Sequence, residues 1–136
     1  MDLMDSMAQA AKGMKAQGVR MRVISENLAN AETAGKTKGD TPYQRKVVTF
    51  KNVLDKTNGQ TEVQVDKIMA DKSDFILKYD PSHPAADKNG YIKMPNVNPL
   101  IEMMDMREAQ RSYEANLGVI DIAKGMLTRT LDLLAR

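Results

Sequence analysis

The sequence contains no cysteine and no tryptophan, a single histidine, and only 4% aromatic residues among its 136 positions. Without cysteine, disulfide bonds, thiolate catalysis and cysteine-based zinc sites are excluded. With so few large rings, the composition does not predict a self-sufficient compact core. The apolar fraction of 42% is instead mostly Ala, Val, Leu, Ile and 11 Met, which favours packing between helices.

Concentrated charge and long apolar runs are also missing. Twenty basic and 18 acidic residues are interspersed along the chain, so nothing indicates nucleic-acid binding. No segment approaches the roughly 20 apolar residues that a transmembrane helix needs. Asp2 and Asp5 precede any base, and residues 1–13 contain no continuous apolar run as long as that of a signal peptide. We therefore expect no cleaved signal peptide, and a chain that is soluble until it assembles.

Both ends of the chain carry side chains at alternating spacings of four and three residues. The N-terminal stripe consists of Leu3, Met7, Ala10, Met14, Gln17, Met21, Ile24, Leu28 and Ala31. The C-terminal stripe consists of Met106, Ala109, Tyr113, Asn116, Ile120, Ala123, Leu127, Thr130 and Leu134. This period predicts two long helices that pair as an antiparallel, coiled-coil-like unit.

Three residues indicate where the second helix begins. Asn98 is a suitable N-cap, Pro99 suits the first helical position, and Glu102 in the first turn interacts favourably with the helix dipole. We predict a helix over residues 99–135, and a first helix of about 30 residues at the other end of the chain.

The middle of the chain loses the helical period. Residues 43–50, 61–69, 75–79 and 91–94 are β-prone, with Asn-Gly turn signals at 57–59 and 88–90. The predicted fold is therefore α+β: an N-terminal axial helix (1–34), a small β-rich insert (35–98) and a C-terminal axial helix (99–136).

This insert is too small to cover both helices along their length, and exposed apolar stripes mark interaction surfaces. Each helix has the other as its simplest partner, followed by the next subunit of a homo-oligomer. The predicted assembly interface consists of Leu3, Met7, Met14, Met21, Ile24, Asn27, Leu28, Asn30, Tyr113, Asn116, Ile120, Leu127 and Leu134.

Asn27 and Asn30 allow two interpretations. Asparagine suits a fraying helix end, which needs no further function. Alternatively, a buried amide within a packed helix pair fixes the register, as one polar residue does in a coiled coil.

The sequence gives only weak signals of a catalytic or metal site. Asp80, Ser82 and His83 lie close together, which raises a small hydrolase as an alternative. Adjacent prolines and the lack of a Gly-rich elbow argue against the required geometry. Met103, Met104 and Met106 are better explained by helix packing than by copper binding. We expect no catalytic residue, cofactor, metal or small-molecule substrate.

Several motifs in order carry a family resemblance: NLAN at residues 27–30, PYQRK at 42–46, YDPSHP at 79–84, GYIKMPNVN at 90–98 and RSYEAN at 111–116. Together they cover nearly the whole chain, which resembles the bacterial flagellar basal-body rod protein family. Lys36 after Thr33-Ala34-Gly35 resembles proximal rod members more than hook members.

This resemblance implies a structural subunit that transmits motor torque through the periplasmic rod after export, without a cleaved signal, by the flagellar type III apparatus. The implied partners are copies of itself, other flagellar rod proteins, and export-gate and basal-body ring components. It also implies terminal segments that are poorly ordered in the free subunit. The alternative function is a soluble coiled-coil adaptor that binds a partner helix.

Overall fold

The computed structural model describes residues 2–56 and 59–135. In chain order it contains α1 (Leu3–Ala29), β1 (Lys46–Asp55), β2 (Gln60–Ala70), β3 (Ile76–Tyr79), β4 (Tyr91–Met94) and α2 (Pro99–Leu134). The strands form two separate two-stranded sheets, β1 with β2 and β3 with β4. The α+β class with a small β insert between two long helices is therefore confirmed. Within the described ranges, neither helix is long and apolar enough to cross a membrane.

The start of α2 follows from local chemistry. The side-chain oxygen of Asn98 accepts a hydrogen bond from the backbone N–H of Leu100 at 3.0 Å, which satisfies a donor that the first turn leaves free. Pro99 occupies the first helical position, as predicted. The first helix ends at Ala29, two residues before the predicted stripe ends at Ala31.

The strands differ from their predicted bounds mainly at β1, which covers Lys46–Asp55 instead of 43–50. The backbone N–H groups of Tyr43 and Arg45 are bonded elsewhere, to Thr33 and to the side chain of Asn96. These two N–H groups therefore cannot donate to a strand ladder. The predicted strand at 91–94 is found unchanged. Positions 57 and 58 of the first predicted turn lie outside the described residues.

The chain divides into two compact units, the first formed by Met1–Met21, Thr49–Lys67 and Arg107–Arg136. In this unit α1 and α2 run antiparallel, because Gly13 faces Asn116 and Arg20 pairs with Glu108 at 3.4 Å. A Cβ on Gly13 would lie 2.9 Å from the Asn116 amide nitrogen, so any larger residue here would force the Asn116 side chain to shift. The buried apolar residues of this unit are small: Ala10, Ala16, Ala109 and Ala123.

In the first unit, the start of β2 contacts α1 through polar side chains. Gln9 donates to the side chain of Gln60 at 3.0 Å, and Lys12 forms an ion pair with the buried carboxylate of Glu62. The side-chain oxygen of Gln17 is buried and, within the described part of the chain, has no hydrogen-bond partner.

The second unit is formed by Arg22–Val48 and Ile68–Met106. Its apolar core contains Val23, Ile24, Ile92 and Val97. β3 and β4 pair antiparallel, with Tyr79 opposite Tyr91, and these two rings stack edge to face with centroids 5.2 Å apart.

Gly90 makes the turn into β4 possible. Its φ of 83° lies in the left-handed region that favours glycine. A Cβ at this position would also come within 2.9 Å of the Tyr79 ring and 3.1 Å of Pro81. Gly90 is therefore required both by its backbone conformation and by space.

Comparing Gly90→Ala with Gly39→Ala separates these two requirements. Gly39 also has a positive φ, of 94°, but a Cβ there would meet nothing within 4 Å. Gly39→Ala should lower the free energy of unfolding by about 1 kcal/mol, from backbone strain alone. Gly90→Ala should lower it by at least about 2 kcal/mol, because crowding is added. Urea unfolding followed by tyrosine fluorescence measures both, and equal losses would contradict the crowding argument.

Candidate assembly site

The side chain of Asn27, at the C-terminal end of α1, is only 1% exposed and makes four hydrogen bonds. Its nitrogen donates to the backbone oxygen of Lys46 at 2.9 Å and to a carboxylate oxygen of Glu102 at 3.1 Å. Its oxygen accepts from the backbone N–H of Lys46 and from the hydroxyl of Tyr43, each at 2.9 Å. Both donors and both acceptor positions of the amide are thus satisfied.

Glu102, in the first turn of α2, is the second buried member, also 1% exposed. Its other carboxylate oxygen accepts a bond from Nε of Arg45 at 2.5 Å. A buried carboxylate is costly unless it is paired and hydrogen-bonded, and here an arginine and an amide share that role. Glu102 therefore contributes more than the favourable dipole interaction that its position in the sequence predicts.

Arg45 links the buried pair to the surrounding loops. Its guanidinium lies 3.4 Å from Asp71 and 3.7 Å from Asp105, in addition to Glu102. Its backbone N–H donates to the side chain of Asn96 at 2.8 Å, and Asn96 in turn donates to the backbone oxygen of Asp71 at 3.0 Å. We call Asn27, Tyr43, Arg45, Lys46, Asp71, Asn96 and Glu102 the polar cluster.

The electrostatics of the polar cluster favour the charged forms of Arg45 and Asp71. Burial opposes the charge on Arg45, but the hydrogen bonds and charges of Glu102 and Asp71 outweigh it and raise its pKa. Hydrogen bonds from Ser73, and then from Arg45, hold the pKa of Asp71 below its ordinary value. Burial raises the pKa of Tyr43, so its hydroxyl keeps the proton that it donates to Asn27.

The polar cluster fixes how α1 and α2 are aligned within the second unit. Asn27 belongs to α1 and Glu102 to α2, and the segment before β1 supplies Tyr43 and Arg45 to both. Sliding one helix past the other by a turn would leave two buried polar side chains without partners. Because each such loss costs about 1–3 kcal/mol, and more for a charged group, a single register is favoured.

The two asparagines of the NLAN motif have different environments. Asn27 is buried in the polar cluster, where its bonds support the register interpretation. Asn30 is half-buried, donates to the backbone oxygen of Glu26 at 2.8 Å and accepts from Thr33 at 3.3 Å. These local bonds support the helix-end interpretation for Asn30.

The other predicted interface residues fall into three groups by exposure. Ile24 is buried in the core of the second unit. Half-buried are Leu3, Met7, Met14, Met21, Leu28, Tyr113, Asn116 and Ile120. Leu127 and Leu134 are exposed. A role for these residues in contacts between subunits remains a prediction.

The segment around His83 has the hydrogen bonds of a structural loop. Nδ1 of His83 accepts a bond from the backbone N–H of Ala85 at 3.1 Å, and the hydroxyl of Ser82 donates to Asp80 at 2.7 Å. Both contacts stay within the loop and join neither Ser82 nor Asp80 to the imidazole, as a nucleophile and its base would be joined. In the described ranges, no group of three or more His, Asp or Glu side chains could hold a metal ion.

Sequence reasoning missed Arg45, Asp71, Asn96 and the buried state of Glu102. Arg45 and Asn96 do lie in motifs that carry the family resemblance, PYQRK and GYIKMPNVN. Three motifs far apart in sequence thus meet in one hydrogen-bonded cluster. The charged or amide residue inside each of these motifs was the one sequence feature that could have indicated the cluster.

Asn27→Asp should be strongly destabilising, by about 3–5 kcal/mol, because it places a buried carboxylate against Glu102 and the backbone oxygen of Lys46. Asn30→Asp, the same change three residues away, should cost less than about 1 kcal/mol, since it disturbs only a local, partly solvated bond. Chemical denaturation of the three proteins measures the difference. Similar losses for the two variants would refute the special environment of Asn27.

Adding Glu102→Gln to Asn27→Asp tests whether these two side chains interact. The glutamine removes one of two facing carboxylates and offers a donor to Asp at position 27. The loss in the double variant should therefore be smaller than the sum of the single losses, by roughly 1–3 kcal/mol. Strict additivity in this double-mutant cycle would show that the contact is energetically irrelevant.

Comparison with known proteins agrees with this arrangement of motifs. A family model described as flagella basal body rod protein matches residues 7–35, which include Asn27. A model described as flagellar basal body rod FlgEFG protein C-terminal matches residues 88–133, which include Asn96 and Glu102. Three members of the polar cluster, Asn27, Asn96 and Glu102, thus fall within the two regions that match rod proteins.

Full-length relatives give a closer assignment. The flagellar basal-body rod protein FlgC of Agrobacterium fabrum is 51% identical over 135 residues, which cover 96% of this chain and 97% of the relative. FlgC of Bacillus subtilis is 41% identical, covering 94% and 95%, and FlgC of Salmonella typhimurium is 39% identical, covering 91% and 92%. The chain therefore belongs to the flagellar basal-body rod protein family, and within it to the FlgC group.

Proposed function

We propose that this chain is a structural subunit of the proximal rod of the flagellar basal body, and that its work is mechanical and involves no catalytic step. Copies polymerise through the paired terminal helices and transmit motor torque along the rod. The names of the relatives support the location. The polar cluster, with its buried Asn27 and Glu102, is the observation that best supports the mechanical role.

Torque acts on such a subunit as shear along its helices. An apolar stripe with a regular period resists shear poorly, because a slip of one heptad brings similar side chains back into contact. The polar cluster has no such repeat, because the bonds at Glu102 require an asparagine at position 27 and an arginine at position 45. A subunit held in this way keeps its length and alignment under load.

Localisation and partners extend the same proposal. The chain is exported unfolded by the flagellar type III apparatus and is built into the periplasmic rod. Because it contains no cysteine, unfolded passage into an oxidising compartment cannot trap it through wrong disulfides. Its partners are further copies, other rod proteins, and export-gate and ring components at the rod base.

Leu28→Asp should abolish incorporation into the rod and swimming, since it places a charge in the half-buried stripe of α1. The test uses a motile species whose own copy of the gene has been deleted and replaced by the variant. Swimming is scored on soft agar, and the amount of the chain is measured in purified basal bodies. Ala29→Asp, an exposed neighbour, is the matched control and should swim normally. Normal swimming with Leu28→Asp would count against the proposal.

His83→Gln separates the structural proposal from the hydrolase alternative. The substitution removes the imidazole but leaves the rest of the loop, so swimming on soft agar should stay close to that of the unchanged chain. Complete loss of motility, with normal amounts of the variant in the basal body, would indicate a chemical role for His83.

The coiled-coil adaptor alternative is addressed by fractionation. A rod subunit should remain with purified basal bodies after the membrane has been dissolved by detergent. An adaptor should appear instead in the soluble fraction, in a small complex with one partner. Recovery of the unchanged chain only in that soluble complex would refute the rod assignment.

A further inference from the structure

Strand β3, in the second unit, has an outer edge that is open. Within the described ranges it pairs with β4 alone, in a register that places Tyr79 opposite Tyr91. The next pair along the ladder, Asp80 with Gly90, is hydrogen-bonded at 2.9 Å. Hydrogen-bonded and non-bonded pairs alternate in an antiparallel ladder. The backbone groups of Tyr79 and, two residues earlier, of Leu77 therefore point away from β4.

The two outer edges of this sheet differ in how they are covered. In β4, the backbone N–H of Tyr91 donates to the side chain of Asp87, and its backbone oxygen accepts from the N–H of Asp87, both at 2.9 Å. In β3, the described part of the chain provides no partner for the outward N–H and C=O groups of Leu77 and Tyr79. An uncovered edge of this kind is a template for a further strand.

We infer that the outer edge of β3 binds an extended segment of a different protein of the basal body, which adds a third strand to the sheet. This inference rests on the proposed function and names one surface by which the subunit meets another component. The alternating outward groups of Leu77 and Tyr79 match the backbone of an extended segment. A helix is a poor partner here, because its backbone groups are already bonded to one another. A two-stranded sheet is only marginally stable, so a third strand also stabilises β3 and β4.

The side chains along the edge specify the chemistry of that segment. Ile76, Leu77 and Tyr79 are exposed by 52%, 63% and 63%, so apolar surface is available on both faces of the strand. The charged residues of β3 and β4 are two exposed lysines, Lys78 and Lys93, and neither strand contains an acid. The segment that fits therefore alternates apolar residues with acidic ones, and places an acid beside Lys78.

Lys78 is available for such a contact. It forms no ion pair in the residues that the structure describes. Asp80, which directly follows β3, accepts hydrogen bonds from the backbone N–H and the hydroxyl of Ser82, at 3.3 and 2.7 Å. The simpler role of Lys78 is to discourage pairing, as lysines do on many edge strands. The two roles predict opposite effects of reversing its charge.

A second copy of β3 is a less suitable occupant. Two β3 edges that meet antiparallel would use the same surface on both copies, and a contact of this kind closes a pair. A rod is built from contacts that continue along one direction, so a closed pair does not extend it. A different protein can occupy the edge of every copy.

Photo-crosslinking in purified basal bodies identifies the occupant. A benzoylphenylalanine in place of Leu77 lies on the open edge, where the leucine is 63% exposed. It should form a product with a different protein, within a segment where acidic and apolar residues alternate. A product of twice the chain mass alone, a crosslink to a segment without that alternation, or no product would overturn the inference.

The two lysines of the sheet are a matched pair. Both are exposed, but only Lys78 lies on the open edge. With the crosslinker at position 77, Lys78→Glu should lower the yield of the product roughly tenfold or more, because like charges then meet. Lys93→Glu and the conservative Lys78→Arg should each leave the yield within about twofold. A yield that Lys78→Glu leaves unchanged or raises would overturn the inference, and would assign Lys78 the role of discouraging pairing.

Hydrogen exchange tests the backbone contact without any substitution. In the purified chain, the outward N–H groups of Leu77 and Tyr79 should exchange as fast as those of exposed loops, whereas that of Lys78, which points into the ladder, should exchange more slowly. In basal bodies the two outward groups should slow by about a hundredfold or more. If the unchanged chain is absent from purified basal bodies, the proposed function fails; if it is present and both groups still exchange fast, only this inference fails.

Discussion

The hydrogen bond between the Asn27 amide and the Glu102 carboxylate is the contact on which the second unit depends. It joins residues 75 apart in sequence, and both side chains are almost completely withdrawn from solvent. Two buried polar groups destabilise a fold unless every partner is in place. Tyr43, Arg45 and Lys46 supply those partners, which explains why the segment before β1 leaves the strand ladder. One constraint thus determines the alignment of the helices and the point where β1 begins.

Much of the fold could be predicted from local signals. The Asn98 cap and Pro99 placed the start of α2, and the residues of β4 were found as predicted because its alternation and its Gly90 turn are local features. The polar cluster could not be predicted in the same way. Glu102 has the sequence context of an ordinary first-turn acid, and only the folded chain brings Arg45 against it. The predicted start of β1 at residue 43 was wrong. Tyr43 has high β propensity, but in the folded chain it donates its backbone N–H to Thr33.

The two units of the chain are held together by different kinds of contact. Within the second unit, directional bonds to Asn27 and Glu102 select one register and resist shear. Within the first unit the buried apolar residues are small, such as Ala109 and Ala123, whereas Leu127, Leu131 and Leu134 of α2 remain exposed. In the proposed function, directional contacts give the subunit its dimensions, whereas apolar ones supply affinity between copies over a larger area. A rod that transmits torque needs both properties.

Hydrogen exchange measures directly whether the polar cluster forms in the single subunit and fixes its register. The backbone N–H groups of Arg45 and Lys46 are bonded to side-chain oxygens of Asn96 and Asn27, so their hydrogen exchange reports on the polar cluster itself. Exchange followed by NMR on the purified, unassembled chain should show both amides as strongly protected as the core amides of the second unit. Exchange at the rate of exposed loop amides, with the core still protected, would show that the polar cluster does not form in the single subunit.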